Sequence, residues 1–60
     1  MMDTKYIVKV ELEAGPDDTM VHDYDGVLYS NKRLAIETAA DALNEPDVLD
    51  AWVEEMEVKR

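Results

Sequence analysis

The sequence lacks cysteine and phenylalanine, and it has one histidine among its 60 residues. Without cysteine, the chain can form no disulfide, no thiolate nucleophile and no cysteine-ligated zinc site, and one histidine excludes a histidine-rich metal site. A domain of this length buries only about 60% of the surface that its unfolded chain exposes. Because disulfides and such metal sites are excluded, self-association is the reinforcement that remains open.

Basic residues are also scarce. Six Lys and Arg stand against fifteen Asp and Glu, which gives a formal net charge of −9. Phosphate backbones and anionic lipid headgroups repel such a chain, so we expect no direct contact with nucleic acid or membrane. No apolar run approaches the roughly 18 residues of a membrane span, and residues 1–5 lack the pattern of a signal peptide. We therefore expect one cytoplasmic domain over residues 1–60.

Apolar residues make up 47% of the chain and are periodic, which predicts an ordered domain despite the charge. Alternation predicts a strand over residues 5–13 with one packed face, and Gly, Pro and Asp together predict a turn at residues 14–18. Residues 19–24 and 27–29 flank Asp25-Gly26, a dipeptide that type I′ hairpin turns favour. The sequence therefore predicts a hairpin centred on Asp25-Gly26.

A helix is predicted over residues 34–43, where apolar residues recur at the spacing of one helical face. Its apolar face consists of Ile36, Ala39, Ala40 and Leu43. Ser30 is the predicted N-cap, because its hydroxyl can accept from a free amide of the first turn. Pro46 ends the helix, since the residue before a proline is pushed out of helical geometry.

A closing strand is predicted over residues 48–58, with two possible orientations. A bulge near Glu54-Glu55 would make Trp52 point outward and would give a core face of Ala51, Val53, Met56 and Val58. Without a bulge, the residues that face the core together are Trp52, Met56 and Val58. The sequence leaves both orientations open.

These elements predict an α+β fold, a small two-layer sandwich with one helix on one face of an antiparallel or mixed sheet of three to four strands. The predicted core consists of Tyr6, Val8, Val10, Leu12, Ile36, Ala39, Leu43, Val53 and Val58. The alanine-rich helix implies a close approach of helix to sheet.

The candidate catalytic groups argue against an enzyme. Ser30 and His22 could pair as nucleophile and base, but Ser30 is better explained as a helix cap. Carboxylate pairs are plentiful, yet a sandwich of this size has little room for a ligand pocket of several hundred Å³. We expect no enzymatic activity and no cofactor.

Asp23 and Asp25-Gly26 match a fragment of a calcium-loop pattern. Two positions that should hold acidic ligands hold Val21 and Lys32 instead, and a hairpin turn explains Asp25-Gly26 better. We therefore expect no metal site. Weak binding of divalent ions stays an alternative function, and its candidate residues are Asp17, Asp18, Asp23 and Asp25.

Acidic residues on the first and last strands indicate a docking face. Successive outward residues of a strand are about 6.7 Å apart, whereas the phosphates of one DNA strand advance by about 3.4 Å. Two neighbouring rows of carboxylates, about 4.8 Å apart, would approach the charge density of a phosphate chain. If those strands are neighbours, the rows are Glu11 and Glu13 on one strand and Glu54, Glu55 and Glu57 on the other.

Trp52 is the remaining candidate for a binding site. An exposed Trp52, with Ile7 beside it, would anchor an interface, whereas a buried one would belong to the core. The leading hypothesis is a small non-enzymatic protein that docks on a basic surface of a partner protein, as does a nucleic-acid-mimicking inhibitor encoded by a phage or mobile element. The second is a structural or homodimeric accessory domain whose charge serves only solubility.

Overall fold

The computed structural model describes residues 2–59, and its elements follow the order strand, strand, helix, strand. β1 spans Met2–Gly15, β2 spans Asp18–Asp23, α1 spans Lys32–Ala42 and β3 spans Val48–Lys59. The strands form one antiparallel sheet in the order β2-β1-β3, and α1 packs on β1 and β3. The predicted α+β sandwich with a helix on one face is confirmed.

The central strand, β1, pairs with both of its neighbours. Its pairing with β3 is regular from Met2 to Glu11. Past Glu11 the register shifts and Leu12 lies opposite Val48, so β3 carries one extra residue at that point. On the other side, β1 and β2 are joined by the turn at residues 16–17, where the sequence predicts one.

The predicted hairpin at Asp25-Gly26 is wrong. β2 pairs with β1, and the chain after β2 continues along β1, where Tyr6 and Tyr29 exchange both backbone hydrogen bonds at 2.8 Å. Gly26 has φ +71°, and Asp25 Oδ1 accepts from the Val27 N–H at 3.1 Å, so the dipeptide does form a turn. A local turn signal does not specify which strand the following segment will pair with.

The helix begins one residue after its N-cap, which is Asn31 and not Ser30. Asn31 Oδ1 accepts from the Arg33 N–H at 2.8 Å, the bond that an N-cap residue makes. Ser30 Oγ instead accepts from Lys5 Nζ at 2.7 Å. Asn and Ser are similarly favoured at N-caps, so residue type does not separate adjacent candidates.

The helix packs on the sheet through alanines. Ala35, Ala39 and Ala42 are buried, whereas Ile36 and Leu43 are each 51% exposed, so their prediction as core residues is wrong. Both stripes have helical spacing, and they differ by one residue, or about 100° of rotation. The observed orientation places the smallest side chains against the sheet, where they permit the closest approach.

The core centres on one strand residue. Val8 is fully buried and packs with Ala35 and Ala39, and half-buried Ala51 packs against this cluster. Among the other predicted core residues, Val10 is buried. The half-buried members of the predicted core are Tyr6, Leu12, Val53 and Val58.

The last strand fixes the side of the sheet that Trp52 occupies. Of the two alternatives for this strand, the one without a bulge near Glu54-Glu55 has the observed register, so side chains alternate strictly there. Ala51 and Val53 face α1 and join the core. The opposite side carries Trp52, Met56 and Val58. Neither sequence alternative is therefore right in full, because Trp52 points away from the helix although the strand has no bulge at that point.

Candidate functional site

The side of the sheet turned away from α1, here named the open face, carries most of the residues predicted to bind a partner. Strand alternation and register place Glu11, Glu13, Trp52 and Glu54 on it. Trp52 Nε1 donates to Glu54 Oε2 at 2.9 Å, and Thr19 Oγ1 donates to Glu11 Oε2 at 3.2 Å. The indole and two of these carboxylates are thus held by neighbours on the same face.

The other two predicted residues, Glu55 and Glu57, lie on the helix side. Glu55 is 3.9 Å from Lys32 Nζ, and Glu57 Oε1 accepts from Thr4 Oγ1 at 3.2 Å. β1 and β3 are neighbours, as two adjacent acidic rows require. Alternation nevertheless divides the β3 row between the two faces of the sheet.

Glu54 also lies away from the acids of β1. It is opposite Ile7, four residues and about 13 Å along the strand from Glu11. The residue directly opposite Glu11 is Asp50, which sequence reasoning missed because only the strand register brings the two together. A double row with phosphate-like spacing is therefore not formed.

The middle of the open face contains a cation. Lys9 lies opposite Trp52 and forms an ion pair with Asp23 on β2. The hydrogen bond to Asp23 raises the pKa of Lys9, and the charges of Asp23 and Glu54 act in the same direction, against some desolvation. Lys9 therefore stays charged at neutral pH and is neutralised within the chain.

An apolar strip crosses the open face beside Lys9. Ile7 is only 6% exposed, although it points away from the helix. Trp52 and Met56 are its diagonal neighbours on β3, at a separation that large side chains can span. Met56 remains 41% exposed and Trp52 is half-buried, so the strip offers apolar surface to solvent.

Charge is segregated along the molecule, which is 45 Å long. We name residues 11–18 and 45–50 the acidic end, because they contain seven Asp and Glu residues and no Lys or Arg. The two segments meet where Glu11 pairs with Asp50 and where both line one open hollow. The described basic residues all lie elsewhere, and they are Lys5, Lys9, Lys32, Arg33 and Lys59.

Glu11 and Asp50 form a like-charge pair within the acidic end. Two carboxylates directly opposite each other on antiparallel strands destabilise the pairing. Lys9 is the nearest cation along the same face of β1, but it is bound to Asp23. A cation supplied by another molecule would be stabilised at this position.

The hollow at the acidic end has a volume of about 640 Å³ and is open to solvent. Its lining combines Leu12, Leu49 and two prolines with the carboxylates of Glu13 and Asp47. A lining that combines apolar side chains with carboxylates suits the side chains of Lys and Arg, which have an apolar stem and a charged head.

The described His, Asp and Glu residues do not form a metal-binding cluster. Between residues 2 and 59, no three His, Cys, Asp or Glu side chains are close enough together to hold a metal ion. Asp23 is paired with Lys9, and Asp25 accepts from the Tyr29 hydroxyl, which raises the pKa of Tyr29. Asp17 lies in the turn between β1 and β2, Asp18 is the first residue of β2, and neither belongs to such a cluster. The weak divalent-ion alternative thus acquires no site in this part of the chain.

Over the described range, no helix has the length and apolar content needed to cross a bilayer. The chain matches no known protein family, and no curated protein or solved structure is significantly similar to it. Function must therefore be argued from the chain's own geometry and charge.

Proposed function

We propose that this chain is a non-enzymatic binding protein whose acidic end docks on a basic surface of a partner protein. The observation that carries the proposal is the segregation of charge. Seven acidic residues and no basic one lie in two segments that meet in space, and Glu11 faces Asp50 there without a compensating cation. Such an arrangement costs folding energy, and a cationic partner would offset that cost.

The lining of the hollow supports one chemistry for the proposed contact. Its carboxylates, Glu13 and Asp47, stand beside the apolar side chains of Leu12 and Leu49. A Lys or Arg side chain of the partner can lay its stem on the leucines and its charged head against the carboxylates. The partner surface should therefore present a protruding Lys or Arg among other basic residues.

The apolar strip of the open face would extend this contact. Trp52 lies two residues from Asp50 on the same face of β3, so one flat surface could cover both the acidic end and the indole. Trp is enriched among residues that dominate binding energy. Because Trp52 is the only Trp in the chain, its fluorescence also reports on this contact.

The proposal does not extend to nucleic-acid mimicry, because the carboxylates of β1 and β3 do not form a double row. The proposed partner is therefore any protein with a basic surface, whether or not that surface also binds nucleic acid. Competition of DNA with the captured partner would show whether the surface also binds nucleic acid.

The test compares two variants with the same change in charge. In the first, Glu11→Gln and Asp50→Asn remove both charges of the facing pair but keep oxygen acceptors for the Thr19 and Ala51 hydrogen bonds. In the control, Glu55→Gln and Glu57→Gln remove two charges on the helix side.

Partners are captured from host lysate on the immobilised chain at low salt, and the affinity of the purified partner is then measured by calorimetry and Trp52 fluorescence. We expect the first variant to weaken binding about tenfold and the control to weaken it about twofold or less, in line with one to two exposed ion pairs. Affinity should also fall steeply as salt rises. Equal losses in the two variants, or an affinity independent of salt, would contradict the proposal.

A further inference from the structure

The outer edge of β3 is the longest unpaired edge of the sheet. β3 has 12 residues and pairs only with β1, whereas the opposite edge strand, β2, has six. From Asp50 to Lys59 it contains no proline and no bulge, two of the devices that prevent further strand pairing, although its charged side chains are a third.

Backbone alternation shows which residues direct hydrogen-bonding groups to this edge. Tyr6 of β1 exchanges both of its bonds with Tyr29, and Val8 O accepts from the Tyr24 N–H at 2.9 Å. The backbone N–H and C=O groups of even-numbered residues of β1 thus point away from β3. Those of odd-numbered residues of β1 point toward β3 and bond to its even-numbered residues, as Ile7 does to Glu54. It follows that the odd-numbered residues of β3 direct their N–H and C=O groups outward.

One of these amides confirms the direction. The Ala51 N–H donates to Asp50 Oδ1 at 2.9 Å, a local substitute for a strand partner. Val53 and Glu55 are the next odd-numbered residues and lie on the regular part of the strand.

An apolar groove runs along the helix directly above this edge. It has a volume of about 300 Å³ and is lined by Ile36, Ala39, Ala40 and Leu43 of α1 and by Ala51, Trp52 and Val53 of β3. Ile36, Ala40 and Leu43 recur at intervals of four and three, so they form one stripe on the flank of α1 nearest to the β3 edge. Strand edge and stripe therefore form one continuous surface.

We propose that this surface binds a second copy of the chain, with β3 antiparallel to β3 of the second copy about a two-fold axis at Val53. The result is a six-stranded sheet with both helices on the same side. Facing residues of an antiparallel pair point to the same face, so a two-fold axis perpendicular to the sheet must pass through a residue facing its own copy.

Charge, together with the length of the regular part of β3, favours this register. With the axis at Val53, Glu54 faces Trp52 of the second copy and Glu55 faces Ala51, so no carboxylate faces another along residues 50–56. An axis at Trp52 would place Asp50 opposite Glu54 of the second copy. An axis at Glu54 would place Glu54 opposite its own copy. Axes at Glu55 or Met56 also create a facing pair of glutamates, which destabilises strand pairing.

Helix spacing supports the same arrangement. α1 packs on β1 and β3 and so lies near the midline between two strands about 4.8 Å apart. The proposed axis lies half a strand spacing outside β3, so each helix is about one spacing from it. The two helix axes would then be about 9.6 Å apart, within the 8–10 Å typical of packed helices. The stripes of Ile36 and Leu43 would fill the space between them.

This inference does not depend on the proposed function. The interface uses the β3 edge and the helix side. It leaves Glu11, Glu13 and the rest of the open face of β1 and β2 exposed, although Asp50 and Trp52 lie on the shared edge. The two associations also respond to salt in opposite directions. Two chains of charge −9 repel each other, so added salt should strengthen self-association, whereas it should weaken docking on a basic partner.

The first experiment measures the mass of the purified chain by analytical ultracentrifugation over a range of concentration and salt. We expect a monomer–dimer equilibrium whose dissociation constant falls as salt rises. Ile36→Glu should raise that constant by about 100-fold or more, because each change acts twice in a symmetric interface. The matched control is Leu34→Glu, since Leu34 has the same 51% exposure as Ile36 but lies on the opposite flank of α1. The control should change the constant less than about threefold.

The second experiment needs no variant. Amide hydrogen exchange of the unmodified chain should show Val53 and Glu55 amides whose protection increases with concentration, while Trp52 and Glu54 amides, bonded to β1, are protected throughout. A chain that stays monomeric at millimolar concentration and high salt would overturn the proposal. So would a dimer that Ile36→Glu and Leu34→Glu weaken equally, or Val53 protection that is independent of concentration.

Discussion

The two faces of the sheet keep apolar side chains from water in different ways. On the helix side, Val8 is fully buried and packs with Ala35 and Ala39. On the open face, Ile7 is 6% exposed although α1 lies on the opposite side. Its neighbours there include Lys9, whose alkyl stem can cover apolar surface while its charged head stays in water. Only the helix side has a second layer, so the open face can shield its residues and still present a surface to a partner.

The largest expected effect tests whether the helix side carries the stability. Val8→Ala removes two methyl groups from the centre of the core and leaves a cavity under the helix, which should cost about 2–3 kcal/mol. The same change at Val21, which is 51% exposed on the open face of β2, should cost about 0.5 kcal/mol or less.

Urea unfolding followed by circular dichroism, at one fixed chain concentration, gives both values. Concentration must be fixed because self-association would contribute to apparent stability. Similar losses for Val8→Ala and Val21→Ala would mean that the open face is packed in solution by something beyond the single chain.

Sequence patterning predicts a strand correctly where the alternation of apolar residues defines one buried face. It fails where two faces of a helix have the same apolar period. The strand over residues 5–13 is confirmed within β1, because its alternation of apolar and polar residues defines a single buried face. The helix is confirmed too, but Ala35 and Ile36 begin stripes of equal period, and hydrophobicity alone favours the wrong one. Packing distance decides in favour of alanine.

Site residues follow the same division. Glu11 and Glu13 could be assigned to an outward face from parity, whereas Glu54 could not, because the orientation of the last strand was left open; the structure places all three on the open face. Asp50 was missed because its position opposite Glu11 depends on the register between strands that are distant in sequence. Register is set by the whole fold, so no local pattern encodes it.

A smaller effect on stability is expected at the N-terminus of α1, the helix that covers one face of the sheet and leaves the other open. Asn31→Ala removes the acceptor for the Arg33 N–H and should cost about 1 kcal/mol of unfolding free energy. Ser30→Ala removes only an exposed hydrogen bond from Lys5 and should cost about half as much or less. The ratio of the two losses in thermal unfolding tests the cap, and a larger loss for Ser30→Ala would reassign it to the residue that the sequence favours.

The smallest effect concerns the ion pair of the open face. The hydrogen bond with Asp23 raises the folded-state pKa of Lys9 above its ordinary value of 10.5. A raised lysine pKa means that the pair stabilises the fold fully below that ordinary value, and that this stabilisation is lost as pH rises through the folded pKa.

Asp23→Asn should therefore move the Lys9 titration, followed by NMR at the side-chain carbon next to Nζ, back toward 10.5. The stability of the two forms should converge in alkali, with little change at neutral pH compared with Val8→Ala, because the pair is exposed to solvent and screened by salt. A Lys9 titration unaffected by Asp23→Asn would show that the pair does not persist in solution and that the cation in the middle of the open face is free to meet a partner's acid.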